Sequence, residues 1–468
     1  MRTEEQYDAI VIGAGQAGGP LATALAKAGR TTALIECEHV GGTCVNEGCT
    51  PTKTMVASAR VAHLARRAAD YGVCTGEVTV DMARVRERKR AIVESFRTGS
   101  ERRIEATDGL TYHFGEATFT GPKHIEVDCV SGGTRRLTAE TIVLNCGARP
   151  AMPPLPGLQD VPTLTSTSVM ELDAVPEHLM ILGGGTIGVE FGQMFRRFGS
   201  RVTIVQRGPR LLGREDVDVA AAMRDLLVED GVEVLLDTPA IRAASSQKDN
   251  GGVDLTVKHA DGERTLTGSH LLVATGRTPN TDRLNLSVAG VRTNHYGYID
   301  VDERLQTSAP GIYALGDVTG GPAFTHISYD DFRIARTNLL GPGSATTRDR
   351  LVPYTVFTDP QLGRVGLSEE DARAEGRAIQ VARMQMSAVA RALEVDEPRG
   401  FLKVIVDAGS EQIIGAAVLG IEGGELMAML QIAMMGGLPY TALRDGIFAH
   451  PTLAESLNNL FASFDTPS

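Results

Sequence analysis

Near the start of the chain, Tyr7-Asp8-Ala9-Ile10-Val11-Ile12 ends in four consecutive apolar residues with no polar alternation. It breaks at Gly13-Ala14-Gly15-Gln16-Ala17-Gly18 into an Ala/Leu-rich stretch that continues through Ala28. An unalternating run is the mark of a strand buried on both faces, and the apolar spacing after the glycines is that of a helix. The next apolar run, Thr31 to Ile35, ends in Glu36. Strand, glycine turn, helix and strand in this order predict a parallel βαβ unit. The pattern returns at Leu179-Met180-Ile181-Leu182, which leads into Gly183-Gly184-Gly185-Thr186-Ile187-Gly188, a helix to Phe198 and a strand from Arg201 to Val205. Two similar strand ends, Ile142 to Arg149 and Leu271 to Arg277, read as crossovers between domains, and a further strand ends in Tyr313-Ala314-Leu315-Gly316-Asp317. Gly341 to Thr347 has linker composition, and beyond it strand-like runs such as Phe401 to Val406 alternate with helical ones.

Length turns these elements into domains: 468 residues exceed one ordinary core and suggest about three domains at roughly 150 residues each. The expected fold class is α/β, with two Rossmann-type dinucleotide-binding domains and a C-terminal α+β domain. The boundaries read as 1–150 with 277–348, then 151–276, then 349–468. With 42% hydrophobic and 22% charged residues the chain should be globular. A formal charge of -12 disfavours nucleic acid and makes small substrates the expected partners. Leu426 to Leu443 carries little charge but is interrupted by Gln431, Gly436, Gly437 and Pro439, so it reads as a buried helix and turn rather than a membrane span. The opening residues show no signal-peptide pattern, and a cytoplasmic location is expected.

Each glycine turn lets the backbone approach a pyrophosphate, which then lies against the helix N-terminus and its positive dipole. Gly13, Gly15 and Gly18 form the first turn, and Glu36, 23 residues beyond Gly13, is spaced to reach a ribose hydroxyl. A G-x-G-x-x-G alone can be a chance turn, but here both flanking elements and the carboxylate are in place. At the second turn, formed by Gly183, Gly185 and Gly188, the matching position is Gln206, followed by Arg207 and Arg210. A missing carboxylate with arginines beside it suits the 2′-phosphate of NADPH over NADH; the alternative is a solvated basic turn.

The chemistry concentrates in Gly41-Gly42-Thr43-Cys44-Val45-Asn46-Glu47-Gly48-Cys49-Thr50-Pro51-Thr52-Lys53. Pro51 reads as a first-turn residue, so Cys49 lies near a helix N-terminus whose dipole favours thiolate. Two cysteines five apart on such a loop can close a strained, readily reduced disulfide. Zinc is the rival reading, but His39 and His63 stand alone and no metal site is expected. Near the far end, His450 precedes Pro451-Thr452-Leu453-Ala454-Glu455. A histidine there offers proton transfer near neutral pH, and Glu455 can fix its tautomer; a structural histidine is the plainer alternative. A Gly316-Asp317 pair ending a strand can accept hydrogen bonds from cofactor hydroxyls.

Taken together, these residues resemble the FAD-dependent pyridine nucleotide-disulfide oxidoreductases, which include glutathione reductase, dihydrolipoamide dehydrogenase and mercuric reductase. The resemblance covers nearly the whole chain, and the box from Gly41 to Cys49 is its most specific piece. It implies FAD in the N-terminal domain, NAD(P)H in the inserted one and a homodimer built on the C-terminal domain. Hydride would pass from nicotinamide to flavin and on, as an electron pair, to a Cys44–Cys49 disulfide. Cys49 would face the flavin and Cys44 would attack a small disulfide or reactive sulfur electrophile. Lys53 and Glu190 match an ion pair near the flavin, and His450 with Glu455 would serve the partner subunit's site. Cofactor-binding positions are then Gly13, Gly15, Gly18, Glu36, Gly42, Thr43, Lys53, Gly147, Gly316 and Asp317 for FAD. Those for the coenzyme are Gly183, Gly185, Gly188, Gln206, Arg207 and Gly276.

The chain departs from named members in places. Thr186 stands where glutathione reductases carry a gating Tyr, and Cys146 replaces the Thr of the usual Ala-Thr-Gly. Mercuric reductases use a C-terminal cysteine pair, whereas the last cysteine here is Cys146. The segments Gly316 to Arg333 and Pro451 to Asn458 look more like the branch containing hypothiocyanous acid reductases, whose members tend to carry a Glu where this chain has Gln206. Dihydrolipoamide dehydrogenase, which normally has a carboxylate there and works with NAD, and a mercuric-reductase-like enzyme lacking the C-terminal cysteine pair are the alternative enzymes. A flavin-binding redox sensor is the alternative of another class.

Overall fold

The computed structural model describes residues 4–247 and 251–465. The chain divides into two compact units, each assembled from three stretches: Met1–Thr54, Arg84–Ala151 and Gly276–Arg350, and Met55–Ala83, Met152–Thr275 and Leu351–Ser468.

In the first unit the strand Glu5–Ile12 lies between Thr32–Glu36 and Thr134–Leu144, parallel to both, and Ile312–Ala314 extends the sheet on the far side. Leu110–Gly121 runs parallel to Thr32–Glu36, then turns antiparallel through His124–Cys129 to rejoin Thr134–Leu144. The unalternating pattern is explained by two cores. Ala9 and Val11 face one, with Leu21, Leu25 and Leu34; Ile10 and Ile12 face the other, with Phe119, Ile142 and Ile312. At the strand's end Gly13 has φ +100°, and a Cβ there would sit 2.3 Å from the Asn145 carbonyl oxygen. Only glycine makes this turn, which delivers the chain into the helix Gly18–Lys27.

Among the described residues the second unit holds three sheets. Glu233–Leu235, Arg201–Val205, His178–Leu182, His270–Val273 and Thr163–Leu164 are parallel in that order. Ala240–Ser245, Val253–His259 and Gly262–Gly268 form an antiparallel meander. Tyr354–Val356, Gln361–Gly366, Ile413–Gly420, Phe401–Asp407 and Ile379–Gln385 make an antiparallel C-terminal sheet. The helix Gly423–Met435 was expected to be buried and is so on one face only. Leu426, Met427, Leu430 and Ala433 pack on the C-terminal sheet, while Met429, Ile432 and Met435 are exposed. A helix laid on one sheet buries one stripe; low charge elsewhere does not create a second covering layer. Among the described residues no helix is long and apolar enough to cross a membrane.

Buried charges tie the middle of this unit to its C-terminal sheet. Lys403, on Phe401–Asp407 and only 3% exposed, lies 2.8 Å from Glu369, 3.0 Å from Asp218 and 3.1 Å from Asp216. Burial alone would lower its pKa, but the three carboxylates hold it above the ordinary lysine value. A raised folded-state pKa means this contribution to stability is complete below about pH 10.4 and is lost as pH rises through the folded value. Lys403→Met strands the buried Asp216. It should cost about 3–5 kcal/mol in urea unfolding at pH 7, with the gap to wild type narrowing above about pH 10.5.

Candidate active site

Cys49 is the first residue of the 18-residue helix Cys49–Arg66, with Pro51 in its first turn. Cys44 is not on an open loop but inside a short helical turn, Gly42–Asn46. The turn is pinned from two sides. The Gly41 N–H donates to the Ala14 carbonyl at 2.9 Å and Gln16 Nε2 to the Gly41 carbonyl at 3.0 Å, which fastens it to the first glycine turn. Gly42 approaches so closely, at φ +59°, that a Cβ would lie 2.9 Å from Gly15 Cα. On the other side Asn46 Nδ2 donates to the Val40 and Gly42 carbonyls at 3.0 and 2.9 Å, and Arg97 Nε donates to Asn46 Oδ1 at 2.7 Å. Thr43 contributes its carbonyl, which accepts the Glu47 N–H at 2.9 Å.

Both cysteines are thiols, Cys44 half-buried and Cys49 exposed. The hydrogen bond with Cys49, then burial, pushes the Cys44 thiol well above the ordinary cysteine value; Thr325 and the charge of Lys53 pull the other way. Thr325 opens the 16-residue helix Thr325–Leu340 and its Oγ1 lies 3.4 Å from Cys49 Sγ. One hydroxyl at a helix start thus touches Cys49 and lowers the pKa of Cys44.

Around the first glycine turn, Glu36 is buried with each oxygen engaged: Oε2 accepts the Ala14 N–H at 2.7 Å, and Oε1 those of Cys37 and Glu38 at 3.0 and 2.9 Å. Burial raises its pKa against these three donors. Asn145 accepts the Gly18 N–H on Oδ1 at 2.9 Å and donates from Nδ2 to the Leu315 carbonyl at 2.8 Å, which joins the glycine turn to the Gly316–Thr319 turn. Burial also raises the pKa of Asp317, with Arg277 Nε 3.8 Å from its Oδ2 opposing the rise. Gly147 and Gly316 have φ +66° and +74°, and a methyl at Gly147 would meet no protein atom within 4 Å.

At the second turn the Gly184 N–H donates to Gln206 Oε1 at 3.1 Å, so the amide stands where a carboxylate was missed. A Cβ at Gly185 would meet nothing within 4 Å, leaving the turn open on that side; Gly276, which falls in the first unit, is likewise unobstructed. Gly183 and Gly188 are close-packed: a Cβ on Gly188 would lie 2.0 Å from the Gly183 carbonyl. Arg207 is exposed, but Arg210 is held by Glu370 at 3.0 and 3.2 Å. Glu190 is buried and accepts the Phe357 N–H at 2.9 Å; it belongs to the second unit, Lys53 to the first. Near the chain's end His450 Nδ1 lies 2.8 and 3.1 Å from the two Glu455 oxygens, a contact that fixes the ring and leaves Nε2 outward, the side chain being 68% exposed. Among the described residues no cluster of His, Cys, Asp or Glu is placed to hold a metal ion.

Residues 7–331 match the model of the pyridine nucleotide-disulphide oxidoreductases. The chain belongs to that family. As a pyridine nucleotide-disulphide oxidoreductase it is an oxidoreductase that uses a flavin and a pyridine nucleotide, and residues 352–461 match the family's dimerisation domain. It is 40% identical over 461 residues to the probable pyridine nucleotide-disulfide oxidoreductase RclA of Escherichia coli strain K12, covering 98% of this chain and 99% of that protein. It is 34% identical to a mercuric reductase of Staphylococcus aureus, covering 98% of this chain and 82% of that one. The copper(II) complex of the HOCl-induced flavoprotein disulfide reductase RclA from Escherichia coli superposes with TM-score 0.89 at 40% identity, covering 98% and 99% of the two chains.

Sequence reasoning missed Asn145, Thr325 and Arg97. Asn145 directly precedes Cys146-Gly147 and Thr325 lies within the segment Gly316 to Arg333, both already read, but their roles are tertiary. Removing the hydroxyl in Thr325→Val withdraws a contact that lowers the Cys44 pKa. Iodoacetamide alkylation of Cys44 in the reduced protein at pH 7 should slow about two- to tenfold, read from the Cys44 peptide by mass spectrometry. Cys49→Ala removes the largest raising influence and should speed the same reaction.

Proposed function

We propose that this oxidoreductase passes electrons from NADPH, through FAD, to a Cys44–Cys49 disulfide and on to a small disulfide or reactive sulfur electrophile. The observation that carries the reading is the turn bearing Cys44, seated backbone to backbone on the glycine turn that Glu36 closes. The first unit fits FAD. Its glycine turn ends at a helix start, Glu36 and Asp317 offer carboxylates for hydroxyls, and the buried Arg277 Nε has no hydrogen-bond partner among the described residues. FAD, when bound there, would accept hydride from the coenzyme and deliver an electron pair to the disulfide.

The chain's own residues account for the rest. Reduction leaves Cys44 and Cys49 as two thiols, and the Cys44 thiolate attacks one sulfur of the substrate disulfide, forming a mixed disulfide and releasing one thiolate. Cys49 then attacks Cys44 Sγ, the second substrate thiolate departs, and the Cys44–Cys49 bond is restored. Both leaving thiolates need protons. His450 of the second subunit takes the proton of each attacking thiol at Nε2 and returns it to the departing thiolate, with Glu455 holding Nδ1–H. The exposed, carboxylate-oriented imidazole and the open face of Gly423–Met435 support that cross-subunit arrangement. Gln206 and Arg207 support NADPH, with NADH as a possible second donor. The last cysteine, Cys146, argues against metal hand-off by a C-terminal pair. A reduced nicotinamide coenzyme as electron donor supports a cytoplasmic setting.

Anaerobic NADPH should produce a long-wavelength absorbance band from a thiolate beside the flavin, followed by coenzyme oxidation when a disulfide is added. Direct two-electron bleaching without that band would refute the thiol roles. Replacing His450 by Gln should slow thiol exchange about 10²-fold or more in stopped flow while leaving flavin reduction fast; equal slowing of both half-reactions would contradict the role given to it.

A further inference from the structure

Arg210 belongs to the coenzyme loop by its backbone and to the C-terminal sheet's surroundings by its side chain. Its carbonyl accepts from Gln206 Nε2 at 3.3 Å, and two residues on the Leu212 N–H donates to the Gly184 carbonyl at 2.8 Å. The main chain at 210 is therefore part of the second glycine turn's wall. The guanidinium instead forms a two-pronged contact with Glu370, Nη1 to Oε1 at 3.0 Å and Nη2 to Oε2 at 3.2 Å. Glu370 is itself fixed: its N–H donates to Asp216 Oδ1 at 3.0 Å, and its Oε1 accepts the Val217 N–H at 3.2 Å. Asp216 is in turn held by the buried Lys403 at 3.1 Å.

The fork geometry that matches a carboxylate also matches a phosphate, so Glu370 and a nucleotide 2′-phosphate compete for the same pair of donors. Resting on the reading that the coenzyme binds at the second glycine turn, we propose that Glu370 is a coenzyme-specificity residue. By holding Arg210 it withholds a guanidinium from the 2′-phosphate, moderates the preference for NADPH and keeps NADH usable. The two side chains are 29% and 49% exposed, so the pair is a modest one that a phosphate dianion can displace at a cost. Removing the competitor should recover that cost as affinity, about two- to tenfold.

The test uses the flavin-loaded full-length protein and calorimetric titration with adenosine 2′,5′-bisphosphate and adenosine 5′-diphosphate, alongside kcat/KM for NADPH and NADH. Glu370→Gln should tighten the bisphosphate two- to tenfold and raise kcat/KM for NADPH in proportion, with adenosine diphosphate and NADH unmoved. Glu370→Ala, which removes any residual amide contact, should do the same. The gain should vanish in the Arg210→Ala/Glu370→Gln double variant. An unchanged or weakened bisphosphate, equal tightening of both adenylates, or a gain that survives in the double variant would overturn the specificity role. If neither adenylate bound wild type, the placement of the coenzyme would fail, a different result from a wild type that binds both and a variant that does not discriminate.

Discussion

The closeness of two backbones governs this molecule. Where Gly42 meets Gly15 there is no room for a side chain on Gly42, Asn145 closes off Gly15 from another side, and the Gly41-to-Ala14 hydrogen bond seals the contact. The cysteine turn therefore has no freedom to slide or tilt against the turn that begins the first nucleotide fold. Proximity of this kind converts a bimolecular encounter into a fixed geometry, and a shift of about 1 Å is enough to lose much of its benefit. Asn46 and Arg97 brace the opposite side of the same turn, so its position is determined from both directions.

Electrostatics is used in opposite ways in the two units. Around the thiols, charge is kept sparse: Cys49, burial, Thr325 and Lys53 exert opposing pulls on Cys44, an arrangement sensitive to the oxidation state of its neighbour. In the second unit charge is abundant and paired. Arg364 faces Glu215 and Asp216, Lys403 faces three carboxylates, and Arg197 lies between Asp230 and Asp359. Such clusters resist removal of any one member, because the remainder stays buried without its counter-charge.

The elements that could be read along the chain were those whose causes are local. The strand Arg201–Val205, the helix ending at Phe198 and the start of the cysteine-bearing helix follow from apolar period, glycine and proline. So does the pairing of His450 with Glu455, five residues apart. What escaped depends on distant segments. Thr325 meets Cys49 from 276 residues away, Asn145 reaches Gly18 across 127, and Arg210 finds Glu370 across 160. The last of these changes a motif's meaning: an arginine beside a glycine turn suggests a phosphate ligand until its carboxylate partner is seen. The exposed stripe on Gly423–Met435 escaped for another reason, since an uncharged run says that a surface is apolar but not what covers it.

The cluster around Lys403 also bears on how the polypeptide is made. Asp216 and Asp218 emerge from the ribosome long before the lysine that neutralises them, with Glu369 coming between. A nascent chain halted anywhere in that interval carries like charges destined for an interior and no counterion for them. The middle nucleotide fold can acquire its strands early, because their partners are close in sequence, but its far wall waits for the C-terminal sheet. Burial of these acids is thus completed only once the C-terminal sheet has been translated, and a product terminated before it would keep those acids in water.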